Sequence, residues 1–177
     1  MLKITASIHN NLWLLLAGSL FLPACQPVQQ NSQPVTPKAF TEHDECHVCG
    51  MSVTRFPGPK GQVLNANGQA AKFCSSAEMF GWYLQPEHQR QQLHLFVHDM
   101  GSTDWDKPAD SALIDARTAY YVVAEGYQSA MGMPIASFAD KAKAEQFAAT
   151  ANTVVLRFTD IDQQLLQSGV IRHHHHH

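Results

Sequence analysis

Strand, turn, strand, helix, strand: this order of local signals occurs twice in the chain, and it restricts the fold more than any other feature. In the first copy, residues 62–68 read as a strand running into Asn67-Gly68, part of a strong hairpin signal. Residues 70–74 form the return strand. Ser75, followed three residues later by Glu78, reads as a helix cap with its acidic partner. Met79, Phe80, Tyr83 and Leu84 then recur at helical spacing, and Pro86 ends the helix. Leu93, Leu95 and Val97 alternate as a strand. In the second copy, residues 119–124 read as a strand, followed by a loop through Gly126 and Met131-Gly132-Met133-Pro134. A strand over residues 135–138, a helix over 141–149 capped by Asp140, a strand over 153–158 and a short helix starting at Asp160 complete it. Phe73 and Phe138 hold corresponding places ahead of their helices. The expected fold is α+β, with two repeated ββαβ units (about 46–99 and 118–168) packed into one small domain. Residues 99–117, with Asp104, Asp106, Lys107, Pro108 and Asp110, are expected to be a loop-like connector.

The ends of the chain follow other rules. The five histidines of residues 173–177 read as a purification tag, leaving six of the eleven histidines to the protein itself (11 − 5 = 6). Residues 1–24 read as a signal peptide: Lys3 supplies the positive start, and residues 12–22 supply an apolar core too short to cross a bilayer. The run ends Leu22-Pro23-Ala24-Cys25, a lipoprotein-processing pattern apart from Pro23, where a small residue is usual. Cys25 would carry the lipid, and the alternative is ordinary cleavage after Ala24. One acyl chain binds membranes only marginally, so the several chains of a bacterial lipoprotein suit stable anchoring. From residue 26 to 38 there are three prolines and four glutamines, and residues 25–38 read as a tether. Residues 39–172 remain as one folded domain. Without Lys3 the formal net charge moves from −3 to −4, and no basic run gives a nucleic-acid footprint.

Beyond Cys25, three cysteines remain: Cys46, Cys49 and Cys74. An odd number in an oxidising compartment favours a use of sulfur other than cross-linking. Cys46-His47-Val48-Cys49-Gly50-Met51 places two thiols and a thioether within reach of one point, a ligand set that selects Cu(I). Half a zinc site, completed by Cys74 and a distant His, a thiol-disulfide redox pair and a structural disulfide are the competing readings. Met131 and Met133 form a second sulfur cluster in a loop without helical spacing, whereas Met79 falls on an apolar helix face. His94 and His98 alternate on a strand opposite Leu93, Leu95 and Val97, which reads as a solvated face from which a His could still reach a metal. Nucleophile-base pairs, phosphate loops and paired carboxylates of defined geometry are not evident, so the chain is expected not to be an enzyme.

The combination of Cys46 to Met51 with Lys72-Phe73, Met79-Phe80, the run Ile114-Asp115-Ala116-Arg117-Thr118-Ala119-Tyr120-Tyr121-Val122, Met131-Gly132-Met133 and Ser137-Phe138 resembles the NosL family of copper chaperones. The resemblance spans nearly the whole trimmed domain. It implies a bacterial lipoprotein of repeated ββαβ architecture, held in the periplasm by a membrane anchor, with the outer membrane expected. It also implies Cu(I) binding and its delivery for the copper-sulfide centre of nitrous oxide reductase in denitrification, alongside the ABC-type transporter of that maturation pathway. Matched by position, Cys46, Cys49, Met51 and Met131 fall on the family's metal motif. Met133 stands where a His or Met is expected, and Cys74 where an acidic residue is common. The alternative function is a periplasmic thiol-disulfide oxidoreductase using Cys46 and Cys49.

Overall fold

The computed structural model describes residues 34–168, so the signal peptide, Cys25 and the histidine run lie outside the described residues. The first ββαβ unit comprises β1 (Gly61–Asn65), β2 (Ala70–Phe73), α1 (Ser76–Tyr83) and β3 (Leu93–His98), with a short α2 (Pro86–Gln89) between α1 and β3. A strand β4 (Leu113–Asp115) follows. The second unit comprises β5 (Tyr120–Val123), β6 (Ile135–Phe138), α3 (Lys141–Thr150) and β7 (Val155–Arg157), and α4 (Gln163–Ser168) closes the described chain. Both sheets are antiparallel, ordered β2-β1-β3-β4 and β6-β5-β7.

The hairpin turn forms as its sequence predicts. Asn65 Oδ1 accepts the N–H groups of Asn67 and Gln69 at 3.0 Å each, and Gly68 takes φ +72°. That turn sets the register Gln62↔Lys72, which puts Val63 and Phe73 on the face that α1 covers with Met79 and Phe80. Packing there is tight. A Cβ on Gly61 would lie 2.8 Å from both Cβ and Sδ of Met79, so the strand and helix approach only because that position lacks a side chain. The two units share one core. Phe80 of α1 meets Tyr121 of β5 edge-on at 5.2 Å and Phe158 at 5.5 Å, and the Tyr121 hydroxyl donates to the Ala116 carbonyl.

Four expectations need correction. The connector holds β4, which extends the first sheet through Val97↔Ile114. Pro86 ends one helix but also opens the next, because its missing N–H is an orphan at a first helical position anyway. Asp160 does not start the last helix. Its Oδ2 accepts the Arg157 N–H at 2.7 Å within the turn Phe158–Asp160, and Asp162 Oδ1 caps α4 by accepting the Leu165 N–H. Finally, only His94 sits on a solvated face, whereas His98 is 1 % exposed. The face opposite α1 is covered at that end by the segment entering the domain. The Gln62 amide bonds both the N–H and the carbonyl of Lys38 at 2.8 Å, and the Phe40 ring lies 5.4 Å from the His98 imidazole. Residues 38–40 thus form a strap across the sheet, already fixed at the last residue assigned to the tether.

Replacing Gly61 with Ala should force Met79 off its position and destabilise the domain by about 1–3 kcal/mol, the usual cost of overpacking a core. The shift of the urea unfolding midpoint at unchanged slope measures it.

Candidate metal centre

The Cys46–Met51 segment is a closed loop on the edge of the first sheet. An antiparallel bridge joins Glu45 to Ser52, the Cys46 N–H donates to the Met51 carbonyl (2.8 Å), and the Gly50 N–H donates to the Cys46 carbonyl (2.9 Å). Gly50 takes φ +71°, a conformation open to glycine and costly for other residues at the turn. The loop is fixed to β2 through the His47 N–H, which donates to the Lys72 carbonyl at 2.8 Å. Beside it, Lys72 Nζ pairs with Asp44 at 2.6 Å.

This docking places Cys74, just beyond β2, against the loop. The sulfurs of Cys46, Cys49 and Cys74 all lie within 4.8 Å of one another, with Cys49 and Cys74 at 3.6 Å, and all three thiols are free of disulfides. Cys46 and Cys74 are buried, and Cys49 is partly exposed. Cys74 was not among the expected ligands. The odd thiol count pointed to it, but nothing local in the sequence shows that the strand end and the early loop meet. Among the described residues, the three thiols are the one such cluster of His, Cys, Asp and Glu side chains, so none of His47, His94 and His98 joins it. The His47 ring instead packs edge-on against Phe73 (6.0 Å) and Trp82 (5.7 Å).

The two buried thiols differ in proton affinity. Burial raises the Cys46 pKa, but the backbone N–H groups of Cys49, Cys74 and Val48 aim at its sulfur and outweigh that, so it ionises below the usual thiol value. For Cys74, burial, the Cys46 charge and the protons shared with both neighbours all act in one direction and hold it protonated well above that value. Of these two sulfurs, Cys46 is therefore the one that gives up its proton first.

The methionine loop reaches the same side of the molecule. Ser75 Oγ accepts the Glu78 N–H at 3.1 Å as the cap of α1, and donates to the Met131 carbonyl at 2.9 Å. Ser76 Oγ donates to the Ile135 carbonyl at 2.7 Å. The two residues following Cys74 therefore hold both ends of the loop. Gly132, at φ +67°, lies so close to α1 that a Cβ there would be 3.3 Å from the Ala77 Cβ. Val48 of the cysteine loop and Gly132 line one cleft of about 200 Å³ beside α1. Met51 and Met133 are half-buried against the same core as Cys49, while Met131 is 41 % exposed and Val48 53 % exposed. Glu78 supplies only half of the expected reciprocal cap: its Oε2 is buried without a partner.

The NosL family model matches residues 37–166. A curated relative from Stutzerimonas stutzeri, described as a copper-binding lipoprotein NosL, is 49 % identical over 153 residues, covering 86 % of this chain and 80 % of the relative. A second, from Achromobacter cycloclastes and described in the same words, is 30 % identical over 161 residues, covering 89 % and 82 %. The crystal structure of the copper chaperone NosL from Shewanella denitrificans superposes with a TM-score of 0.70 at 39 % identity, covering 74 % of this chain and 98 % of that one.

Ultraviolet absorbance of thiolate, followed as pH rises, should show the first ionisation below the normal thiol range. That earliest step should vanish in Cys46→Ser and persist in Cys74→Ser, which removes the latest step instead.

Proposed function

The chain belongs to the NosL family, and from that premise we propose that it is a copper carrier that holds Cu(I) between Cys46, Cys49 and Cys74. The observation that carries this reading is the sulfur trio itself. Three soft donors converge without a fourth His, Cys, Asp or Glu ligand among the described residues. Structural zinc takes four nitrogen or sulfur ligands, whereas thiolate and thioether donors select the cuprous ion, which accepts two or three. Met51 and Met133, half-buried against the same core as Cys49, and Met131 on the neighbouring loop are the thioethers proposed to assist. They cannot form disulfides and bind more weakly than thiolates, which suits an ion that must be passed on.

Transfer then proceeds by ligand exchange. Cys49 is the partly exposed thiol, and Val48 and Met131 are exposed apolar residues on the two loops that flank the cleft. A partner docking there can bind the ion before the buried thiols release it. The proposed recipient is nitrous oxide reductase during assembly of its copper-sulfide centre, together with the ABC-type transporter of that pathway. The chain's own activity is binding and transfer rather than catalysis. The proposed setting is the periplasm, with residues 1–24 removed and a lipid on Cys25 holding the domain to the outer membrane through the tether. No helix among the described residues is long and apolar enough to cross a membrane.

Anaerobic titration of tag-free protein against a Cu(I) chelator tests the site. Wild-type protein should retain the ion. Changes around a metal site that leave its ligands in place already cost about 10–100-fold in affinity, so Cys74→Ser should cost at least roughly 100-fold, and Met51→Leu less than Cys74→Ser. Failure to retain Cu(I) would overturn the reading. For delivery, reductase from cells lacking this lipoprotein should be copper-deficient. Wild type should restore it, and a Cys46→Ser, Cys49→Ser, Cys74→Ser variant should not.

A further inference from the structure

A cavity of about 530 Å³ opens beside the strap, within the size range of small-molecule sites, and none of the three cysteines lines it. Its wall contains two buried nitrogen donors. Lys60 is 3 % exposed, and its ammonium donates to the carbonyls of Phe56 (2.5 Å) and Pro57 (3.0 Å). It has no acidic partner: the ion pairs among the described residues are Lys72–Asp44 and Lys141–Glu145. A buried cation without a counter-charge is costly. Burial lowers its pKa only to about 8, so the charge persists at neutral pH.

His98, 1 % exposed, supplies the second donor. Its Nδ1 accepts the Lys60 backbone N–H at 3.0 Å, which assigns the proton to Nε2. That Nε2 is buried and has no hydrogen-bond partner. Native interiors rarely leave such a donor unused. Both residues line the cavity, and a neutral N–H with an ammonium is a donor pair that a carboxylate can accept from. The opposite polarity prevails among the exposed lining residues, where Glu42 and Asp106 outnumber Lys107. Asp110 adds a third carboxylate, partly occupied by the Phe40 N–H at 3.1 Å.

We propose that this cavity is a binding site for a small zwitterion of the amino-acid class, its carboxylate on His98 Nε2 and the Lys60 ammonium and its cationic end toward Glu42 and Asp106. The Phe40 ring, tilted beside His98 on the strap, forms the adjoining wall. None of the trio lines the cavity, although Lys60 feels the charge of Cys74, and the test uses no copper.

The test is a titration of tag-free protein carrying isotope-labelled histidine, with acetate, glycine and inorganic phosphate added separately at constant ionic strength. The His98 Nε2 resonance should shift saturably with acetate and with glycine, and glycine should bind more tightly. Lys60→Met should weaken both by about tenfold or more, the loss expected for one charge-assisted hydrogen bond. A Glu42→Gln, Asp106→Asn variant should remove the advantage of glycine over acetate and leave acetate binding intact. The absence of a saturable shift in the wild-type protein overturns the proposal without reference to any variant. Tighter binding of phosphate than of glycine overturns the carboxylate assignment, and equal binding of glycine and acetate overturns the role of the acidic residues.

Discussion

The hydrogen bond from the His47 N–H to the Lys72 carbonyl is the constraint on which the site depends. β2 is the edge of its sheet, and an edge strand presents unpaired backbone groups. The loop bearing Cys46 and Cys49 takes up one of them. Once it docks there, Cys74 at the strand's end has its sulfur beside theirs. Ser75 and Ser76, the next residues, start α1 and hold the methionine loop at the same time. One strand end therefore gathers the cysteine pair, the third thiol, the helix cap and the loop from the second repeat.

The cluster's electrostatics suit an ion that arrives and leaves. Backbone amides stabilise charge on Cys46, while burial and its neighbours keep Cys74 protonated. Sulfurs this close cannot all be ionised without a cation, so in its absence protons remain between them. A soft monovalent ion can replace those protons without rearranging the loop, because Gly50 and the Cys46–Met51 hydrogen bond already fix its shape. In the proposed carrier, the positions of the thiols are set by the fold rather than assembled around the metal, and Cys49 is the thiol left partly exposed.

Much of the fold was legible in the sequence because its signals are local. Asn67-Gly68 fixes one hairpin, Ser75 and Asp140 cap the two main helices, and the alternation of Leu93, Leu95 and Val97 identifies the inner sheet face. The site was legible in part. Cys46 and Cys49 lie within four residues, so bringing their thiols together needs only a turn. Cys74 and the loop of Met131 and Met133 join them through contacts made long after in sequence. Those contacts depend on an edge-strand docking and on two serine hydroxyls whose partners are backbone carbonyls, and backbone carbonyls leave no mark on a sequence. His98 was misplaced for a related reason. Alternation gave its face correctly, but Gln62 and Phe40 draw the entering strap over that face, and a polar segment rich in proline gives no sign that it will cover a sheet.

The central claim is that Cys74 completes a sulfur site with Cys46 and Cys49. X-ray absorption at the copper edge of the anaerobic, tag-free, Cu(I)-loaded protein measures it most directly. A coordination shell of sulfur alone that loses one sulfur in Cys74→Ser is expected. A shell dominated by nitrogen, or one that is unchanged in Cys74→Ser, would contradict it.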